Sequence, residues 1–318
     1  MHPKEEIMKF KKLLVLLLAM AMMAMPLAAC GSPAEEAPAV ETPVESTVVA
    51  DAAMAYFANL PETNNMIVAE DLFAKIDAGE EMFIIDVRSA DDYALGHLKG
   101  AVNLPFASTA IAENLEFIPD DVPVYVNCYT GQTASQATVV LKAAGKDVTN
   151  IRGGWLRGIT TTPGYEAYTD TVAVTMPTDA YEVDPDLAAA VDEYFATVAS
   201  YADTPFANQN VSAEFVKELV DAESDEYTIL SVRKAEDFAL GHIPTAINIP
   251  FGAGMEVALA ELPTDKPVIV YCYTGHTASQ TVGVLRLLGY EAYNMSFGMG
   301  SVETEKGWLG AGYETVTE

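Results

Sequence analysis

Apolar and polar positions change texture along the chain, and each texture predicts a different kind of structure. Residues 13–25 form one unbroken apolar run. Residues 31–50 then mix Pro, Glu, Ala and small residues without a helical apolar period, which reads as a flexible tether. From residue 51 onward, short apolar runs alternate with amphipathic stretches, the pattern of an α/β layer fold with a mainly parallel sheet. Phe83–Asp86 and Val124–Asn127 read as brief buried strands. After the second of these, Ala137, Val140, Leu141 and Ala144 fall at i, i+3, i+4 and i+7, a core-facing helical stripe that Gly145 can end.

The same pattern occurs twice. Cys128 to Gln136 and Cys272 to Gln280 agree at eight of nine positions, 144 residues apart. Upstream, residues 83–106 parallel 227–251, residues 68–76 parallel 211–219, and Tyr56-Phe57-Ala58 parallels Tyr194-Phe195-Ala196. Thr281, Val284, Leu285 and Leu288 before Gly289 repeat the helical stripe. A tandem duplication follows, with domains at 51–170 and 186–318 and a linker at 171–185.

Composition narrows the picture. A length of 318 residues suits two ordinary domains, and 50% hydrophobic against 20% charged residues excludes a disordered chain. Three cysteines are too few for a disulfide-stapled scaffold. With 46 Asp and Glu against 17 Lys and Arg, the net charge of -29 repels polyanions, so nucleic acid is not an expected partner.

Lys9, Lys11 and Lys12 precede the apolar run, and Pro26-Leu27-Ala28-Ala29-Cys30 follows it, the order of a secretory leader over residues 1–29. Leu27-Ala28-Ala29-Cys30 resembles the lipobox of bacterial lipoproteins, which implies cleavage before Cys30 and a lipid on it. A tether over residues 30–50 would then hold the domains outside the cytoplasm, with the lipid as the sole membrane contact. No later stretch approaches the roughly eighteen apolar residues of a spanning helix.

Cys128 and Cys272 each sit where a buried strand ends and a short loop turns into a helix. Backbone N–H groups and the helix dipole favour an anion there, and a thiolate is such an anion. A lone cysteine in that place usually serves packing. Two copies around the same central Gly, with the third cysteine assigned to the lipobox, favour chemistry. A Cys128–Cys272 disulfide would require each thiol to leave its own loop, and is not expected.

Each half resembles a rhodanese domain. The motifs that carry the resemblance are Asp86-Val-Arg88, Gly96-His97 through Gly100 to Pro105 and Cys128 to Thr133. In the second half they are Arg233, Gly241-His242, Asn248-Ile249-Pro250 and Cys272 to Thr277. The resemblance implies an α/β chain of two tandem domains, each a mainly parallel five-stranded sheet flanked by helices. It also implies a cysteine that accepts sulfane sulfur as a persulfide and passes it to a nucleophile. Persulfide charge needs hydrogen-bond donors, which the amides of Tyr129, Thr130, Gly131, Gln132, Thr133 and Ala134, and of Tyr273, Thr274, Gly275, His276, Thr277 and Ala278, can supply. Gly131 and Gly275 let the backbone curl around the sulfur.

The six-residue loop without an Arg separates this chain from the phosphatases and arsenate reductases that share the fold. Basic side chains, common in thiosulfate-using rhodaneses, are missing from both loops. Polysulfide or a small persulfide is therefore as good a donor as thiosulfate, and His276 would make the second site the better one for an anionic donor. Ser231 replaces Asp86 in the second half, so the carboxylate partner of its Arg is missing. Arg88, Arg233, His97 and His242 read as structural ties, and Trp155 and Trp308 as packing residues.

The expected activity is sulfur transfer to a thiol or cyanide through Cys128 and Cys272, from a small sulfur-containing substrate, with no cofactor and no metal. The alternative is a non-catalytic persulfide carrier or protein-docking module at the membrane, working with a thiol-bearing acceptor protein.

Overall fold

The duplicated strands and stripes fold as the pattern demands, and the exchange of one helix between the halves is what the pattern does not show. The structure is a computed structural model that describes residues 47–317. The leader, Cys30 and the tether up to residue 46 lie outside the described residues.

In the first repeat the order is α1 (Thr47–Ala58), β1 (Met66–Ile67), α2 (Ala69–Asp77), β2 (Phe83–Asp86), α3 (Ala90–Leu95), β3 (His97–Leu98), β4 (Val102–Asn103), α4 (Ala110–Glu113), β5 (Val124–Asn127), α5 (Gln132–Ala143), β6 (Val148–Ile151) and β7 (Thr169–Asp170). The second repeat runs α6 (Pro185–Ser200), β8 (Asn210–Val211), α7 (Ala213–Asp221), β9 (Thr228–Ser231), α8 (Ala235–Leu240), β10 (Ile247–Asn248), α9 (Met255–Leu259), β11 (Val268–Tyr271), α10 (His276–Leu287), β12 (Ala292–Met295) and α11 (Gly307–Gly310).

Two five-stranded parallel sheets result, β1-β6-β5-β2-β4 and β8-β12-β11-β9-β10, in the same spatial order. Both are the α/β sheets flanked by helices that the alternating pattern predicts. The central strands β5 and β11 are buried at every position, because helices cover both faces, so they carry continuous apolar runs rather than an alternation. In-register pairing of Asp86 with Asn127 and of Ser231 with Tyr271 brings the C-terminal ends of neighbouring interior strands together in each sheet. The Cys loops start there.

Residues 47–50 belong to α1 rather than to a tether. Ala53, Tyr56 and Phe57 fall at i, i+3 and i+4 and bury one face, and this stripe draws the preceding turn into the helix. That face packs into the core of the second repeat, with Leu230, Val268, Val282 and Leu285, and the Phe57 ring meets Phe251 edge-on at 5.5 Å. Conversely, Val191, Tyr194, Phe195 and Val198 of α6 pack into the core of the first repeat, where Phe195 meets Phe106 edge-on at 5.7 Å. Boundaries at 51–170 and 186–318 follow the repeat in the sequence, but each repeat takes its first helix from the other.

Hydrogen bonds fasten the exchange. Tyr194 Oη donates to Gln136 Oε1 at 2.8 Å, Gln136 Nε2 donates to the Asn208 carbonyl at 3.1 Å, and Gln280 Nε2 donates to the Asn64 carbonyl at 2.9 Å. Between the two exchanged helices, α5 and α10 lie against each other. A Cβ at Gly283 would stand 2.9 Å from Val139 Cβ, which shows how close this approach is. No helix among the described residues is long and apolar enough to cross a membrane.

Candidate active site

Strand β5 ends at Asn127 and α5 begins at Gln132, so Cys128 to Gly131 make the turn between them. Gly131 takes the N-cap position at φ 84°, a left-handed conformation, and no side chain caps the helix. The thiol lies just ahead of the helix, where the N–H of Gly131 itself donates to Cys128 Sγ at 3.0 Å. In the second repeat Gly275, at φ 90°, does the same for Cys272 at 3.1 Å. Both thiols are free, and both residues are nearly enclosed, at 1% and 2% exposure.

A second turn holds each loop from behind. Trp155 N–H donates to the Cys128 carbonyl at 2.7 Å and Leu156 N–H to the Tyr129 carbonyl at 2.9 Å; Met299 and Gly300 do the same for Cys272 and Tyr273. Each loop thus has two carbonyls bonded to the second turn and one amide donating to the sulfur, a contact that favours an anion there. Asn150 Nδ2 braces the first loop at the Gly131 carbonyl, 3.0 Å away.

The predicted loop side chains go to different places. Tyr129 and Tyr273 turn outward, where their hydroxyls donate to Asp92 and Asp237 on α3 and α8. Ala134 and Ala278 are buried in the cores. Thr133 and Thr277 are half-buried in the first helical turns. Thr130 Oγ1 accepts from Gln132 Nε2 at 3.1 Å.

Gln132 and His276, equivalent in the repeat, both cross to the other half. Gln132 Oε1 accepts from Phe297 N–H at 3.0 Å and from Asn294 Nδ2 at 3.0 Å. His276 Nε2 accepts from Gly153 N–H at 3.1 Å. Gly153 and Phe297 are themselves equivalent, so two reciprocal clasps join the repeats through the Cys loops. A side chain at Gly131 would collide with His276, and one at Gly275 with Gln132. These glycines therefore serve the seam as well as the turn.

The expectation that His276 offers positive charge to an anionic donor is corrected by this geometry. Burial pushes the imidazole down to about 4, and the nearby Arg152 and Arg157 guanidiniums act in the same direction, with the Thr130 backbone opposing weakly. The ring is neutral near pH 7 and engaged in the clasp. Sequence reasoning also missed Gly153, Phe297, Asn150 and Asn294; their equivalence across the repeat was the available signal.

The strand-end arginines differ. Arg88 makes a two-pronged ion pair with Asp86, Nε to Oδ1 at 3.0 Å and Nη2 to Oδ2 at 2.7 Å, and also reaches the Gly96 carbonyl. Its guanidinium lies 4.2 Å from the Trp155 ring. Arg233 donates to the Gly241 carbonyl, but its buried Nε has no partner among the described residues, and its guanidinium lies 5.7 Å from the Tyr271 ring and 5.9 Å from the Tyr273 ring. His97 and His242 stack on Tyr93 and Phe238 and bond to backbone carbonyls.

The sequence model of the rhodanese-like domain matches residues 68–158 and 212–305, one match in each repeat. The chain belongs to the rhodanese-like domain family. Among curated relatives, it is 34% identical over 110 residues to the HTH-type transcriptional regulator Rv0324 of Mycobacterium tuberculosis, covering 34% of this chain and 48% of the regulator. It is 26% identical over 98 residues to the putative sulfur carrier protein YrkF of Bacillus subtilis, covering 30% of this chain and 50% of the carrier. It is 33% identical over 81 residues to thiosulfate sulfurtransferase GlpE of Pseudomonas fluorescens, covering 25% of this chain and 72% of that enzyme. This rhodanese-like chain thus spans about half the length of the regulator and of the carrier. The crystal structure of SseA from Escherichia coli, described with the fold of 3-mercaptopyruvate sulfotransferases, is 20% identical, covers 72% of this chain and 97% of its own, and has a TM-score of 0.32.

Proposed function

We propose that the protein is a sulfurtransferase that carries sulfane sulfur on Cys128 and Cys272. The observation that carries this reading is the duplicated N–H donation from Gly131 and Gly275 to the two Sγ atoms, in loops whose first two carbonyls are bonded to a second turn. The thiolate attacks the outer sulfur of the donor. The donor's sulfur–sulfur bond breaks, and its electron pair leaves with the remnant, sulfite in the case of thiosulfate. A thiolate or cyanide then attacks the outer sulfur of the persulfide, the Sγ–S bond breaks, and its pair returns to Sγ, so no external oxidant or reductant enters.

Near-complete burial of both cysteines favours a small donor over a bulky one. Thiosulfate, polysulfide and low-molecular-weight persulfides all meet that requirement. The absence of Lys and Arg from both loops favours, as a second reading, a carrier that loads once per cysteine and discharges only to a partner protein bearing a thiol.

Intact mass of the reduced protein after exposure to thiosulfate or polysulfide, repeated after cyanide, tests the chemistry. Gains of one or more sulfur atoms that cyanide removes, and that disappear with Cys128→Ser and Cys272→Ser, are expected; no gain from either donor sinks the proposal. Multiple turnover with cyanide separates the enzyme from the carrier.

The leader and Cys30 extend the proposal to export and lipid anchoring at a bacterial membrane. Labelling with a fatty-acid probe that vanishes in Cys30→Ala is the expected result, and unchanged labelling refutes it.

A further inference from the structure

The chain has five arginines. Arg88 and Arg233 are buried at the strand ends, and Arg286 is half-buried, donating to the Ala292 carbonyl and lying 4.9 Å from the Tyr293 ring. The other two, Arg152 and Arg157, are exposed and have no ion pair or hydrogen bond from their side chains among the described residues. Both line one cavity of about 400 Å³ on the seam between the repeats. In a chain of net charge -29, this convergence of two unpaired guanidiniums is against the general trend of the surface.

The rest of the lining suits an anion. Glu70 is the one acidic residue there, so the guanidiniums leave the wall net positive once His276 is neutral. Thr130 and Thr274, the third residues of the two Cys loops, also line it. Gln132 Nε2 donates to Thr130 Oγ1, which leaves the Thr130 hydroxyl proton free. Because His276 Nε2 accepts from Gly153, the ring proton sits on Nδ1, 2.9 Å from Thr274 Oγ1, and the Thr274 hydroxyl proton is free in the same way. Arg157 is held over the Phe297 ring at 4.9 Å, which fixes one fork of the pair.

We propose that this cavity is an anion site, separate from the two thiols, that takes a small doubly charged oxyanion between Arg152 and Arg157 with the Thr130 and Thr274 hydroxyls donating to its oxygens. Neither cysteine lines the cavity, so occupancy there and sulfur loading on the loops are separate events. The bound dianion touches one residue of each Cys loop and so bridges the two repeats. The volume leaves room for bridging waters around a tetrahedral dianion.

The test uses the full chain carrying Cys128→Ser and Cys272→Ser, in which thiol chemistry is removed, so a failure here is distinct from a failure of sulfur transfer. Titration calorimetry with sulfate and with thiosulfate at low ionic strength is expected to show saturable one-to-one binding that weakens as salt rises. Arg152→Gln and Arg157→Gln should each lower the affinity at least tenfold. In the unsubstituted chain, sulfate should protect Arg152 and Arg157 from phenylglyoxal, read by peptide mass. Absence of saturable binding by both anions, binding that survives both substitutions, or no protection of either arginine overturns the proposal.

Discussion

Arg88 and Arg233 hold the same place in the two repeats and keep different company. In the first, a carboxylate, a backbone carbonyl and an indole ring neutralise and enclose the guanidinium. In the second, Ser231 stands where Asp86 would be, Tyr271 stands opposite in place of Asn127, and one N–H of the buried cation is unmatched. The Cys loops above them nevertheless have the same shape, with Gly131 and Gly275 donating to sulfur at 3.0 and 3.1 Å. The loop geometry therefore does not depend on the ion pair below it. It depends on the turns after β6 and β12, which tie down the loop carbonyls in the two halves.

The comparison is most sharply tested at the thiols. If equal loops mean equal chemistry, Cys128→Ser and Cys272→Ser should each remove part of the cyanide turnover, and the double variant should fall to the uncatalysed rate. A single variant that already abolishes turnover would show that one repeat only supports the other.

Next in size are the arginines. Arg88→Met strands Asp86 as a buried unpaired carboxylate, and urea unfolding should show a loss of about 3–5 kcal/mol. Arg233→Met removes a cation with no counter-charge, and should cost less than about 1 kcal/mol. Equal losses would mean that the two strand ends are stabilised alike despite the missing carboxylate in the second.

The clasps differ in titration. His276 binds a proton in the unfolded chain near 6.5 but in the folded one only at about 4. Between these values the unfolded state binds more protons, so stability falls as pH drops from about 6.5 to 4, by roughly 2–3 kcal/mol. His276→Gln, which installs the first repeat's residue, should flatten that part of the stability curve; a slope unchanged by the substitution would locate the proton elsewhere.

The smallest effect belongs to the exposed tyrosines. Tyr129→Phe and Tyr273→Phe each delete a hydroxyl bonded to a surface carboxylate, and about 1 kcal/mol or less is expected from either in thermal melts. A large loss from one alone would mark an asymmetry that the loops do not show.

Much of this was legible because it is local or repeated. β2, β5 and the stripe from Ala137 to Ala144 are set by apolar runs a few residues long, and the Cys loops by an eight-in-nine repeat. The seam was not legible. Gln132 meeting Phe297, and His276 meeting Gly153, join residues more than 120 positions apart through one atom of each, and such contacts leave no period in a sequence. His276 read as a source of charge because it is the one side chain of either loop that protonation could make positive; its neighbours in space enclose it and include two arginines. The exchange of α1 and α6 was hidden for a related reason: an apolar helical face looks the same whichever core it enters.

That exchange sets the order in which the molecule can be completed. When the ribosome releases residue 170, the first repeat still lacks Val191, Tyr194, Phe195 and Val198, and α1 has no second repeat to enter. The first core closes only when residue 198 has emerged, and α1 must wait until Ala292 has, so the helix made first is the last to be buried. Once both helices have crossed, a protease that cuts between residues 171 and 184 severs the backbone and still leaves two fragments that each bury a helix in the other's core.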